Sequence, residues 1–265
     1  MGYRLTDMKK TKPLSTIVNY FVVIFFLANS SVNAKEYIIG VEDVSYYPFY
    51  DFSAKELNRK SFTKELLSTF FRHQGYQFKF VALPLKRFDK WYIEEAIDFK
   101  FPDNIRWRSG ESKNLNLTYS EPVLHLTAGT YVLKKNSDMP RQKIKTLGTI
   151  LGFFPTLWYD RLQNKTIELV EVSSPYSLIK HLLHGNVEAI NIDKNIIDYN
   201  LKLLQEEGDA IVLNKHINYE RYAYHFSTIY HPKIIQEFNC FLSAHSQLVA
   251  EIKRKYAIIE TPESL

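Results

Sequence analysis

The apolar positions along the chain change period several times, and each change separates one predicted element from the next. Tyr37-Ile38-Ile39-Gly40-Val41 is a short run of β-forming residues and predicts a strand. Tyr46-Tyr47-Pro48-Phe49 follows as an aromatic loop. Over 61–74, Phe62, Leu66, Phe70 and His73 lie near one helical stripe, which Leu67 and Phe71 widen. Ser61 is placed to cap that helix and Gly75 to stop it. Tyr76 to Val81 alternates as a strand does, 85–95 predicts a second helix, and Ala96-Ile97-Asp98-Phe99 a third strand. Strands alternating with helices imply a parallel α/β sheet.

A second run of the same kind begins near Leu147. Leu147 to Phe154 reads as strand then loop, with a helix through Trp158 and Leu162 and a strand from Ile167 to Val172. Ser174-Pro175 is an N-cap and N1 pair for a helix striped by Tyr176, Ile179, Leu182 and Leu183 and ended by Gly185. Val187 to Ile192 is the next strand. Val123 to Leu133, between the two runs, is a long extended stretch. Tyr222 to Ile229 is a further strand, and 233–256 is helical. The pattern predicts two similar α/β units joined by extended crossings.

Residues 1–34 stand outside this pattern. Lys9, Lys10 and Lys12 form a positive n-region, Ile17 to Ala28 is almost wholly apolar, and Val32-Asn33-Ala34 has the small residues expected before a cleavage site. These are the marks of a cleavable secretory signal peptide, which predicts that the remainder is exported. The apolar run is about a dozen residues, short of the roughly 20 that a helix needs to cross a bilayer. No cysteine near the site offers a point for lipid attachment.

Without residues 1–34 the chain keeps 30 basic and 28 acidic side chains, a net charge of +2. The basicity of the whole is largely that of its leader, and no clustered basic face suggests nucleic acid as a partner. The single cysteine, Cys240, allows no intrachain disulfide. Its place beside Phe238, Phe241 and Leu242 predicts a buried small hydrophobe. The histidines show no metal pattern: His181 and His184 are three apart, without a further ligand at the spacing a zinc site needs. No phosphate-cradling glycine loop or Gly-x-Ser-x-Gly elbow is present. No metal or cofactor is expected.

Four segments resemble the type 2 periplasmic solute-binding proteins, especially their amino-acid-binding branch. They are Tyr37 to Val41 with Tyr47-Pro48-Phe49, Tyr119-Ser120-Glu121-Pro122 leading to Gly129–Leu133, Leu182 to Asp193, and the last helices with Phe238-Asn239 and Ile252 to Tyr256. The resemblance spans nearly all of residues 35–265. It implies a two-lobed α/β fold, each lobe a mixed sheet flanked by helices, joined by two hinge strands. It sets lobe 1 at 35–127 and 222–265, lobe 2 at 128–221, and a ligand between them.

Asp193, at the end of a buried strand, is the leading site candidate, because open α/β sheets place ligands at that edge. The resemblance gives it a ligand ammonium to accept from; capping the helix that starts near Asn195 is the alternative. The family's carboxylate-binding arginine should fall near Lys113, with Arg106 and Arg108 displaced upstream. Lysine cannot form arginine's planar fork. The third strand would normally run into small hydroxyl-bearing residues, and here it runs into Lys100-Phe101-Pro102-Asp103-Asn104, a segment expected to line the cleft. Tyr47, Phe49, Trp107 and Phe154 are candidates for stacking on a ligand, and Ser120 for donating a hydroxyl.

The resemblance, taken with these residues, implies a monomeric clamp that closes on a small polar solute, one with an amine or another donor, and presents itself to a membrane permease or a sensor. The rival of another class is an enzyme on the same fold, such as a dehydratase of the cyclohexadienyl type, with Glu42, Asp103 and Asp193 as general acids or bases. A degenerate clamp that only signals or assembles is a third reading.

Overall fold

The computed structural model describes residues 1–2, 35–53, 59–93, 96–108 and 110–260. The leader expected at 1–34 falls, but for its first two residues, outside them. A compact unit begins at Glu36.

The first lobe opens with β1 (Glu36–Glu42) and a small hairpin, β2 (Ser45–Tyr46) and β3 (Tyr50–Asp51). It continues through α1 (Phe62–His73), β4 (Gln77–Leu83), α2 (Phe88–Ile93), β5 (Phe99–Asp103) and β6 (Thr118–Tyr119). The long β7 (Leu124–Leu133) crosses to the second lobe. That lobe holds β8 (Thr146–Ile150), α3 (Tyr159–Gln163), β9 (Glu168–Val172), α4 (Pro175–Leu183), β10 (Ala189–Asp193), α5 (Lys194–Leu204) and β11 (Ile211–Leu213). β12 (Glu220–Thr228) returns, and α6 (Pro232–Ala244) and α7 (Ser246–Lys255) complete the first lobe.

One continuous sheet runs β4-β1-β5-β12-β7-β10-β8-β9. Parallel strands make up each end: β1 pairs with β4 and β5, and β8 with β9 and β10. Antiparallel β7 and β12 join them, Tyr224 facing Leu124 and Glu220 facing Ala128. The expected two-lobed α/β architecture with two connecting strands is what forms.

Local signals explain most boundaries. α1 buries Phe62, Leu66 and Phe70 on one face and Leu67 and Phe71 beside it, and the chain leaves it through Gly75 at φ +71. Ser61 takes the N-cap backbone position, but its hydroxyl makes no capping bond. The amides of Phe62 and Thr63 donate instead to the carbonyls of Pro48 and Phe49, at 3.2 and 2.9 Å. The aromatic loop is thereby fixed on the helix start. In α4 Ser174 does accept from the Ser177 amide, with Pro175 in the first turn and Gly185 at φ +74 after the end.

Four expectations need correction. The third strand is Phe99–Asp103, not 96–99, so Phe101-Pro102-Asp103 is buried strand and not loop. The helix expected at 85–95 is a 3-10 turn, Leu85–Arg87, followed by the short α2. On α4 the buried stripe is Leu178, Ile179 and Leu182, and Tyr176 faces solvent. Cys240 is exposed, because α6 turns Ile234, Ile235, Phe238 and Phe241 inward and leaves the position between them outside.

Phe70, Phe71, Phe99, Phe226 and Phe238 fill the first lobe, with Phe99 stacked on Phe226 at 4.8 Å. Trp158 anchors a smaller cluster in the second lobe and donates to the Thr130 hydroxyl at 2.9 Å.

Candidate functional site

Strand carboxyl ends meet where the lobes face each other. β1 ends on Glu42, β5 on Asp103 and β10 on Asp193, and all three side chains are buried. A crevice at such an edge is where open α/β sheets place ligands.

The hairpin forms the first lobe's wall. Tyr46 and Tyr50 are opposite each other in it and their rings stack at 5.3 Å. The Tyr50 hydroxyl donates to the Glu42 carboxylate. Tyr46 reaches the second lobe, where its ring packs on Phe153 at 5.2 Å and its hydroxyl accepts from the Asp193 amide at 3.4 Å. From β12, Tyr222 and Tyr224 project to one side two residues apart, as strand pleating requires. With Trp107 they form a triangle of rings 5.7 to 6.3 Å apart.

The carboxyls sit in unlike surroundings. Burial pushes Glu42 up to about 7, against the opposing pull of the Tyr50 hydrogen bond and the positive charge of Lys100. Burial likewise raises Asp193 to about 6, with hydrogen bonds from Asn195 acting against it. Asp103 is surrounded by donors. Arg108 bonds it, Lys100 lies at 3.4 Å, the Ser227 hydroxyl donates at 2.5 Å and the Asn104 amide at 2.8 Å. Arg108 also donates to the Tyr119 hydroxyl at 3.0 Å.

The lobes are also held together outside the crevice. Arg59 lies over the Tyr47 ring at 3.9 Å and donates to the Tyr199 hydroxyl on α5. Asn195 exchanges two hydrogen bonds with the backbone of Ile259, at 2.8 and 2.9 Å. Arg106 bonds Glu220 at 2.9 Å, and Glu220 accepts from Thr156.

The structure sorts the candidates accordingly. Asp193 is buried beside Tyr46 and caps α5, its Oδ1 accepting from the Asn195 amide at 2.8 Å. Trp107 is 39% exposed and packs beside Tyr222 and Tyr224. Lys100 and Asp103 form the buried ion cluster. Phe49 and Phe101 are buried outright, each packing edge-on against Tyr224. Asn104 holds a turn, accepting from the Arg106 amide and donating to the Ala223 carbonyl. Ser120 donates to the neighbouring Glu121 carbonyl and accepts from the Phe226 amide. Tyr47 packs beside Tyr199, Phe154 is exposed against Tyr159, and Lys113 is on the surface.

Sequence reasoning passed over Tyr46, Tyr50, Tyr222 and Tyr224, and took Glu42 only as an enzyme's acid. The two-residue spacing in Tyr222-Ala223-Tyr224 was the available signal. It marks one face of a strand without saying that the face meets a second lobe.

No family profile matches the sequence, and no curated protein matches it. Solved structures share its fold. A histidine kinase sensor domain with similarity to periplasmic binding proteins superposes with a TM-score of 0.66 at 12% identity, over 86% of this chain and 99% of its own. An arginine 3rd transport system periplasmic binding protein from Legionella pneumophila gives 0.62 at 16%, over 84% and 100%. An ancestral amino-acid-binding protein, a precursor of cyclohexadienyl dehydratase, gives 0.63 at 15%, over 83% and 95%. The likeness is one of fold, and the fold is that of the two-lobed periplasmic binding proteins.

Proposed function

We propose that the chain is an exported solute-binding protein, cleaved after Ala34, that closes on a small polar solute in the periplasm. Lobe 1 comprises 35–127 and 222–265, and lobe 2 comprises 128–221. The observation that carries the reading is that two buried carboxyls at strand ends, Glu42 and Asp193, lie beside the hydroxyls of the neighbouring Tyr50 and Tyr46. Such an arrangement binds a donor-rich ligand best when the lobes meet, so ligand stabilises the closed form. A shift of that equilibrium from 1:99 to 99:1 requires about 5.5 kcal/mol of differential binding. The closed monomer then presents itself to a permease or a sensor. The fold shared with binding proteins and with a sensor domain supports both destinations.

The test is mass spectrometry of the small molecule that co-purifies with protein taken from its native periplasm, followed by titration of that molecule into stripped protein. Saturable binding with closure, seen as a smaller radius of gyration, is the expected result. A molecule that is turned over instead identifies a dehydratase-like enzyme, and Glu42 is then the first acid to examine.

A further inference from the structure

An open groove of about 420 Å³ lies in the first lobe between the end of α1 and one face of α6. His73 and His245 line it, with Glu237, Cys240 and Lys233. His73 is the last residue of α1 and His245 is the C-cap of α6, so two helix carboxyl ends converge there. The partial negative charge of each end favours a cation. Lys233 opposes that preference, and Glu237, whose carboxylate accepts from the Tyr76 hydroxyl at 2.7 Å, supports it. The two imidazoles are neighbours, with ring centroids 4.9 Å apart. Phe241 packs against both, at 4.7 Å from His245 and 5.6 Å from His73. His73 is exposed and His245 half-buried, and among the described residues no hydrogen bond or ion pair engages either ring.

A neutral imidazole with no hydrogen-bond partner offers its lone pair, which makes it a ready metal ligand. The spacing suits one shared ion. With zinc–nitrogen bonds of about 2.0–2.1 Å in the plane of each ring, two imidazoles on one ion have centroids about 4.5 to 5.2 Å apart at bond angles of about 90° to 109°. The observed 4.9 Å falls inside that range, so both rings can hold one ion without the helices moving. Among the described residues no three histidine, cysteine, aspartate or glutamate side chains are placed to share an ion. The chain therefore supplies two ligands, and water completes the shell. Independently of the solute-binding reading, we propose that His73 and His245 form a two-imidazole site for a divalent late transition metal ion such as Zn²⁺. Hard ions such as Mg²⁺ need a set of oxygen ligands and are not bound there.

The test is calorimetric titration of Zn²⁺ into chelator-treated protein that carries no polyhistidine tag. One equivalent is expected to bind with saturation below about 1 mM, and Mg²⁺ at the same concentration is expected to give no heat of binding. His73→Gln and His245→Gln should each weaken zinc binding about tenfold or more. Zinc should raise the thermal unfolding midpoint of the parent and not of either variant. His73 is exposed, so the midpoint of His73→Gln without zinc should equal the parent's, which separates a lost ligand from a lost fold. Cys240→Ser should leave the affinity unchanged. Absence of saturable binding overturns the proposal. So does binding that survives both histidine substitutions, since the ion then sits elsewhere, and so does binding lost in Cys240→Ser, which assigns the ion to the thiol. None of these outcomes bears on the clamp.

Discussion

Glu42→Gln is the perturbation whose magnitude the structure specifies best. Glu42 is 3% exposed, and its carboxyl rises from an ordinary 4.5 to about 7 in the fold. The folded state therefore holds its proton more tightly than the unfolded chain does. Between pH 4.5 and 7 it binds more protons, so stability falls as pH rises, and the full cost is present above about pH 7. At 1.36 kcal/mol per unit, that cost is on the order of 3 kcal/mol. The amide has the same shape, carries no charge at any of these pH values, and still offers an oxygen to the Tyr50 hydroxyl. Urea denaturation followed by circular dichroism from pH 4 to 8 measures the difference. The variant should match the parent near pH 4 and exceed it by about 3 kcal/mol near pH 8. A residual slope between pH 4 and 6 should persist in both, because Asp193 is raised to about 6 by its own burial. Parallel profiles, or a variant that is weaker at pH 8, would refute the argument that burial of this carboxylate is costly.

Asp193→Asn should keep the α5 cap and lose only charge, weakening solute binding by tenfold or more with little change in midpoint. Asp193→Ala should lose the cap as well, about 1 kcal/mol by the same denaturation assay. Gly152 sits at φ +89 with a Cβ position 3.2 Å from Leu85, so Gly152→Val should cost about 1–3 kcal/mol in thermal or urea unfolding. Arg108→Met leaves Asp103 buried without its arginine, and should cost about 3–5 kcal/mol in urea unfolding at neutral pH. Asp103→Asn combined with Arg108→Met should return much of that loss, which a double-mutant cycle measures.

Local signals sufficed where an element is defined by its own residues. The stripe of Phe62, Leu66 and Phe70, the Ser174-Pro175 start of α4, and the glycines at 75 and 185 each act within a turn or two of chain. The order of such elements was enough to predict two similar α/β units joined by extended crossings. Cys240 shows the limit of that reasoning: on a helix with neighbouring aromatics, one step in angle separates a buried position from an exposed one.

Long-range partners decided the rest. Lysine, proline and aspartate argue against a central strand, yet Phe99–Asp103 lies between β1 and β12. Asp103 tolerates that burial because Arg108 and Ser227, the latter 124 residues away, supply its hydrogen bonds. The crevice is decided the same way. Tyr46 is set in a hairpin of the first lobe, and Asp193 ends a strand of the second, 147 positions later. Periodicity in a sequence reports which face of an element avoids water, because burial repeats with the backbone. It does not report what covers that face, since the covering side chains arrive from elsewhere in the chain only when the lobes pack.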